Sequence, residues 1–325
     1  MCEAAICDKK CKICGTVCMK RGASVVYANE VIKKDVQLVA CVEEKLPYFI
    51  PILPDRLKKK LSYEIVSFIA LHGGIALKSS GEGVKNIYKK NGFKKALNVD
   101  ERCKALLEFY VKDRTLEGFW NIRHDVGFFE DLKKLDVIVI APNFSLYEDA
   151  PRIEHLYNIK RSLIMYNKLV EHGIKAIPDI AWYNRNDIDF WIEQINKSKC
   201  SIIAYSFQVV DVRLKASNLW RNYLAALRYM AAKVKENVKC ILVVGVNSET
   251  RMQEIRKAVP YSIKISVLNQ SAYTQSQRGM YSKNRASDKK TDRSELFEKN
   301  IKYFNEIYKK LNEGEEVCQK EELEL

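Results

Sequence analysis

Five of the ten cysteines fall within the first 18 residues: Cys2, Cys7, Cys11, Cys14 and Cys18. A thiolate is a soft anionic ligand, and thiolates two or three residues apart converge on one ion or cluster. A segment this short has little core in which to bury them as inert side chains. The expected chemistry is a metal centre held by Cys7, Cys11, Cys14 and Cys18, with Cys2 or Cys41 as other choices for the fourth ligand. The spacing is C-x4-C-x3-C-x2-C-x3-C. Structural zinc usually uses two knuckles separated by a longer linker. An iron–sulfur cluster is therefore the first expectation, zinc the alternative, and thiols without a metal the third reading.

The tight run resembles the ferredoxin type, in which three nearby thiolates and a fourth from elsewhere hold a cluster. Within it, Cys7-x3-Cys11-x2-Cys14 resembles the motif of radical S-adenosylmethionine enzymes. That resemblance implies a cluster with one iron open to S-adenosylmethionine, carried by a partial (β/α) barrel. Only six residues precede Cys7, and Ile13 stands where that family often has an aromatic. His72-Gly73-Gly74 and Ser80-Gly81-Glu82-Gly83 are the candidates for its glycine-rich segment.

A second constellation is Ala141-Pro-Asn-Phe-Ser-Leu-Tyr-Glu-Asp-Ala-Pro-Arg152. It directly follows an apolar run, where parallel barrels place their active sites. Asn143, Ser145, Asp149 and Arg152 are candidate catalytic groups. The same side chains equally suit a structured loop capping the next helix. Asp179, in Pro178-Asp-Ile-Ala-Trp182, is the fifth candidate. A buried carboxylate needs a partner, which Arg152 or Arg161 would supply. Asp149 or Asp179 would act as base or metal ligand, and Arg152 as an anion clamp. Further along, Ser206, Gln208, Asn247 and Asn269 each end an apolar run. The stretch from Gln270 to Arg293 interleaves tyrosines with cations, so Gln270, Tyr273 and Arg278 are candidates for cofactor or base contacts. A solvated loop is the other reading. Among the four histidines, His72 reads first as a capped turn residue and second as one that reaches a site from a strand end; His124, His155 and His172 read as surface or helix-end residues.

These groups need elements to hold them. Asp136–Ala141, Ile174–Ile180, Cys200–Tyr205, Cys240–Gly245 and Tyr261–Ser266 are apolar runs, predicted as strands. Helices are predicted between them near 153–172, 188–196, 219–235 and 249–258, with Gly173 as a C-cap. Uniformly apolar strands between crossover helices mean a parallel sheet covered on both faces. Val36–Ala40, an edge strand or extended entry segment at Tyr48–Leu53 broken by Pro51, and Tyr63–Leu71, which reads as a buried strand or a helix end, bring the strand count to seven or eight. Residues 84–135 read as helical, including Cys103–Tyr110. The expected fold is an α/β (β/α) barrel-like parallel sheet, with an open doubly wound sheet second. Residues 274–292 read as a loop before a last helix near 294–311. Three regions are expected: a cysteine-rich metal-binding leader at 1–35, the barrel-like body at 36–312 and an acidic tail at 313–325.

Asn143-Phe-Ser145, Asn158-x2-Arg161, Gly173-Ile-Lys-Ala-Ile-Pro178 and Trp182 resemble an uncharacterised domain family of phages, plasmids and other mobile elements. The resemblance covers about residues 130–270 and implies a nucleic-acid setting. Net charge agrees with it. The chain carries +14, and the tail has six glutamates against one lysine, so the body carries +19. A basic body suits a polyanionic partner, nucleic acid first, though a solvated lysine-rich surface has the same composition. No apolar run is long enough to cross a membrane. The start has no apolar signal segment and most cysteines lack a pairing pattern, so a reducing cytoplasm is the expected setting. Walker, His-Glu-x2-His and Gly-x-Ser-x-Gly motifs are absent from the sequence, which argues against those enzyme classes.

Overall fold

In the computed structural model the described residues are 17–18, 22–40, 43–208, 218–283, 286–287 and 291–314. Cys7, Cys11 and Cys14 lie outside them, as does the acidic tail beyond residue 314.

Eight parallel strands form one sheet: β1 (Phe49–Leu53), β2 (Phe68–His72), β3 (Lys104–Glu108), β4 (Val137–Ile140), β5 (Ala176–Ile177), β6 (Ile202–Ser206), β7 (Cys240–Val244) and β8 (Lys264–Asn269). Their order is β5-β4-β3-β2-β1-β8-β7-β6. The two ends meet at a parallel bridge between Asp179 and Ala204. There the Ile180 N–H donates to the Ala204 carbonyl at 3.0 Å, and the Ala204 N–H to the Pro178 carbonyl at 2.9 Å. The sheet therefore closes into a barrel, the first of the two expected architectures.

Strand periodicity divides the core in two. Ile50, Ile52, Ala70, Leu106, Ile138, Ile140, Ile177, Ala204, Leu242, Val244 and Leu268 fill the barrel interior. Their neighbours, such as Phe49, Ile69, Leu107, Val139, Ile203, Val243 and Val267, pack outward in the larger core that includes the helices. These are α1 (Gly22–Ile32), α2 (Gly73–Ala76), α3 (Asn86–Leu97), α4 (Asp113–Asn121), α5 (Val126–Lys133), α6 (Arg152–Glu171), α7 (Arg185–Ser198), α8 (Leu219–Val234), α9 (Glu249–Ala258), α10 (Ser271–Gln277) and α11 (Arg293–Glu313). A short hairpin, β9 (Met280–Tyr281) with β10 (Ala286–Ser287), precedes α11. Among the described residues no helix is long and apolar enough to cross a membrane.

Five expectations change. Val36–Ala40 is no strand; it is an extended segment tied to helix side chains. The Leu38 N–H donates to Gln194 Oε1 at 2.8 Å, and Asn167 Nδ2 donates to the Gln37 carbonyl at 2.6 Å. β1 is not an edge strand, because β8 and β2 flank it; Pro51 sits opposite Asn269. The 104–108 stretch expected to be helical is β3, buried between β2 and β4. The stretch after β8 opens with α10, and α1 occupies part of the expected leader, packed against α6.

Candidate active site at the barrel mouth

Inward parity carries on past the apolar interior to the C-terminal ends of the strands. Two residues beyond Ala70, Leu106, Ile177 and Ala204 stand His72, Glu108, Asp179 and Ser206. Glu108 and Asp179 are each 1% exposed. The pleat that packs the interior thus delivers two carboxyls, an imidazole and a hydroxyl to one mouth.

Burial pushes the Asp179 carboxyl up to about 7, although Tyr110, Asn143 and the Ile180 N–H favour its charged form. Asn143 Nδ2 donates to Asp179 Oδ2 at 3.1 Å. Oδ1 of Asp179 and the Tyr110 hydroxyl are both buried without a hydrogen bond of good geometry. That hydroxyl lies beside Asp179 and Ser206, and burial raises it well above its ordinary range. Burial pushes Glu108 up to about 8; the Tyr110 N–H opposes the rise and the Asp179 charge adds to it. The Tyr110 N–H donates to Glu108 Oε2 at 2.6 Å.

His72 joins the site while capping α2. Its Nδ1 accepts the Gly74 N–H at 3.0 Å. Burial disfavours its charged form, and because Nδ1 accepts, the neutral form of the ring carries its proton on Nε2. Nε2 faces Glu108 Oε1 at 3.7 Å. Gly73 makes this approach feasible: a Cβ there would stand 2.7 Å from the Glu108 carbonyl oxygen.

Above the carboxyls opens a cleft of about 720 Å³. Phe109, Tyr110, Tyr147, Trp182, Tyr183 and Tyr223 supply its aromatic walls, and Asn143, Ser145, Ser206, Gln208 and Asn222 its hydroxyls and amides. Glu148 is its one charged lining residue among those described. The Trp191 indole donates to the Ala181 carbonyl at 2.8 Å, which anchors the segment bearing Trp182.

The 141–152 turn is held by its own hydrogen-bonded unit. Arg161 is 1% exposed and bonds both Glu117 carboxylate oxygens at 2.8 Å. It also donates to Asn158 Oδ1 at 2.6 Å, and Asn158 Nδ2 donates to the Ser145 carbonyl at 2.7 Å. The guanidinium lies 3.9 Å from the Phe144 ring centroid and 4.4 Å from that of Tyr157. The Asn143-Phe-Ser145 and Asn158-x2-Arg161 motifs are therefore one positioning device. Asp113, which opens α4, accepts from Ser145 Oγ at 2.7 Å and from the Tyr147 hydroxyl. His155, expected at the surface or a helix end, lies in the first turn of α6 but is 2% exposed; its Nε2 bonds the Tyr147 carbonyl at 2.7 Å and its ring lies 4.1 Å from that of Tyr183.

The structure gathers some of the sequence candidates and separates others. Asn143 and Ser145 line the cleft above Asp179. Asp149 lies exposed on the turn. Arg152 pairs with Asp187, which also accepts the Tyr183 and Asn184 N–H groups at 3.0 and 3.1 Å. Neither Arg152 nor Arg161 is the partner of Asp179, because Asp187 and Glu117 take them; Asn143 fills that role. Gln270 and Arg278 flank α10 and are exposed, and Tyr273 lines a different cavity. Cys18 is half-buried and follows Val17, whose N–H donates to Glu154 Oε2 at 3.1 Å in the first turn of α6. Among the described residues no three His, Cys, Asp or Glu side chains have metal-binding geometry. Glu108, Tyr110 and Asp113 were not among the candidates. A carboxylate ending the apolar run Ala105–Leu107 was the available signal.

Ser80-Gly81-Glu82-Gly83 does packing work. A Cβ on Gly118 of α4 would stand 1.5 Å from the Ser80 carbonyl oxygen, so the segment lies directly on that helix.

Comparison with curated proteins gives no match. Similar solved structures include a putative fructose-1,6-biphosphate aldolase from Coccidioides immitis, at 10% identity and TM-score 0.41, covering 89% of this chain and 93% of that one. Another is an L-ribulose 3-epimerase, at 10% identity and TM-score 0.40, covering 78% and 88%. A family described as a domain of unknown function, DUF4417, matches residues 77–262, a span that begins well before the expected 130 and takes in Glu108, Tyr110, Asn143 and Asp179. With more than half of its 325 residues matched, the chain belongs to the DUF4417 family.

Proposed function

We propose that this protein is an enzyme that moves protons on the nucleoside portion of a nucleotide or nucleic acid, in a mobile-element setting. The carrying observation is the carboxyl pair at the mouth, Asp179 at about 7 and Glu108 at about 8. Groups that titrate near neutral pH both take and return a proton during turnover. Asp179 is the exchanging group, since its neighbours Asn143, Tyr110 and Ser206 line the cleft and can pass a proton to it. Asn143 orients it, and Tyr110 with Ser206 supplies hydroxyl donors beside it. His72 and Glu108 form the supporting pair. The aromatic walls suit a planar base or the apolar face of a sugar, and the amides suit its polar edge. The strongly basic body favours an anionic partner.

In the same reading the leader thiols Cys7, Cys11, Cys14 and Cys18 hold an iron–sulfur cluster, with zinc as the alternative. The Val17–Glu154 bond supports a role near the mouth, because it fixes the end of the leader at the first turn of α6.

The test uses Trp182 as reporter. Adenosine, cytidine, guanosine and uridine are titrated against the full chain while indole fluorescence is followed. Saturable quenching that Asp179→Asn weakens, with the fold retained by circular dichroism, supports the reading. No quenching by any of the four overturns the substrate class. Anaerobic purification with iron, sulfide and zinc analysis tests the leader separately.

A further inference from the structure

A second cavity, of about 220 Å³, lies outside the mouth, between the chain that follows β1 and the start of α11. Arg56, Lys58 and Lys59 reach it from the first side, and Arg293, the first residue of α11, from the second. Tyr273 and Gln277 of α10 complete the wall. Two carboxylates, Asp55 and Glu298, also line it. Asp55 Oδ1 already accepts the Arg56 N–H at 2.7 Å, and Lys59 pairs with Asp292 at 3.2 Å. The cations still exceed the anions around the cavity.

Arg293 is the decisive group. Its Nη1 is buried and has no hydrogen-bond partner. Nη1 itself is covered where it packs against Gly279, which has φ 73°: a Cβ there would stand 2.1 Å from it. The residue as a whole stays partly exposed on the cavity wall, and an unneutralised guanidinium in that position favours an anion. The fork geometry of a guanidinium matches an oxyanion, and lysines around it add point charge.

We propose that this cavity binds a phosphate group, carried either by a small phosphorylated compound or by a nucleic-acid backbone. Arg293 is the anchoring donor, Arg56, Lys58 and Lys59 form the cationic rim, and Tyr273 offers a ring face to whatever the phosphate is attached to. This site does not depend on the chemistry at Asp179. Its test reads neither that residue nor Trp182, so either proposal can fail alone.

The experiment titrates inorganic pyrophosphate, and separately a fluorescent thymidine 12-mer, against the full chain at low salt. Variants are Arg293→Gln and the exposed pair Arg56→Gln/Lys58→Gln, with the fold checked by circular dichroism. Saturable pyrophosphate binding that weakens about tenfold in the variants is expected. If the 12-mer binds and loses affinity in the same variants, the backbone is the source. If pyrophosphate alone binds, the source is a small compound. Should Arg293→Gln not fold, the exposed pair decides. Absence of saturable binding by both probes, or equal affinity in wild type and the exposed pair, overturns the proposal.

Discussion

Asn143 and Asp179 are joined by one hydrogen bond, from Nδ2 to Oδ2 at 3.1 Å, and the other oxygen of the same carboxyl is buried without one. One half of the group is held by the amide, and the Tyr110 hydroxyl stands beside the carboxyl. Asn143→Ala is expected to release Asp179 while leaving its acidity governed by burial. Nucleoside quenching of Trp182 should weaken about tenfold, and stability should fall by about 1–3 kcal/mol because a buried carboxyl oxygen loses its donor.

Glu108 and Asp179 make stability fall as pH rises. Both hold protons in the folded chain at pH values where the unfolded chain has lost them, between their ordinary values near 4 and about 8 and 7 respectively. Each lowers stability by at most ~1.4 kcal/mol per pH unit inside its window and by nothing further above it. Glu108→Gln should flatten the decline measured by urea unfolding from pH 5 to 8. An equally steep decline in the variant would contradict the assignment.

Gly73 passes over the end of β3 with no room for a side chain. Gly73→Ala places a methyl against the Glu108 carbonyl and should destabilise by about 1–3 kcal/mol. It should also swing His72 away from Glu108. Imidazole NMR shifts of the four histidines would report this, with one resonance moving and the others fixed.

Arg161 and Glu117 are a buried pair, so removing one member strands the other. Arg161→Met should cost about 3–5 kcal/mol, and Arg161→Met/Glu117→Leu should recover much of that loss. Denaturant midpoints of the two variants provide the comparison.

The Glu154 carboxyl holds the end of the cysteine-rich segment through the Val17 N–H. Glu154→Ala should speed limited proteolysis near residue 17 by several-fold without altering cleavage in the barrel. Unchanged cleavage would mean that the anchor lies elsewhere.

Much of the barrel was legible because its later strands are continuous apolar runs separated by amphipathic helices. Asn143, Ser145 and Asp179 stood out because each follows such a run. β3 was not legible: Lys104-Ala-Leu-Leu-Glu-Phe-Tyr110 has apolar spacing that fits a helix as well as a strand, and only pairing with β2 and β4 decides. That ambiguity hid Glu108 and Tyr110, which stand beside Asp179 in the candidate site. The choice of Asp187 by Arg152 was equally hidden, because residues far apart in sequence compete for one cation. Val36–Ala40 looks like a strand locally, but its polar backbone is satisfied by Gln194 and Asn167 of packed helices.

The neighbours of β1 are β2 and β8, so the first of these eight strands to be made waits for the last before both its flanks are covered. More than two hundred residues separate Phe49 from its partner Val267. Until Val267 emerges from the ribosome, an apolar ribbon stays open along one side of the growing chain. Assembly of this ring is expected to be late and cooperative, and a chaperone that shields β1 during translation should raise the yield of folded protein more than one acting after release.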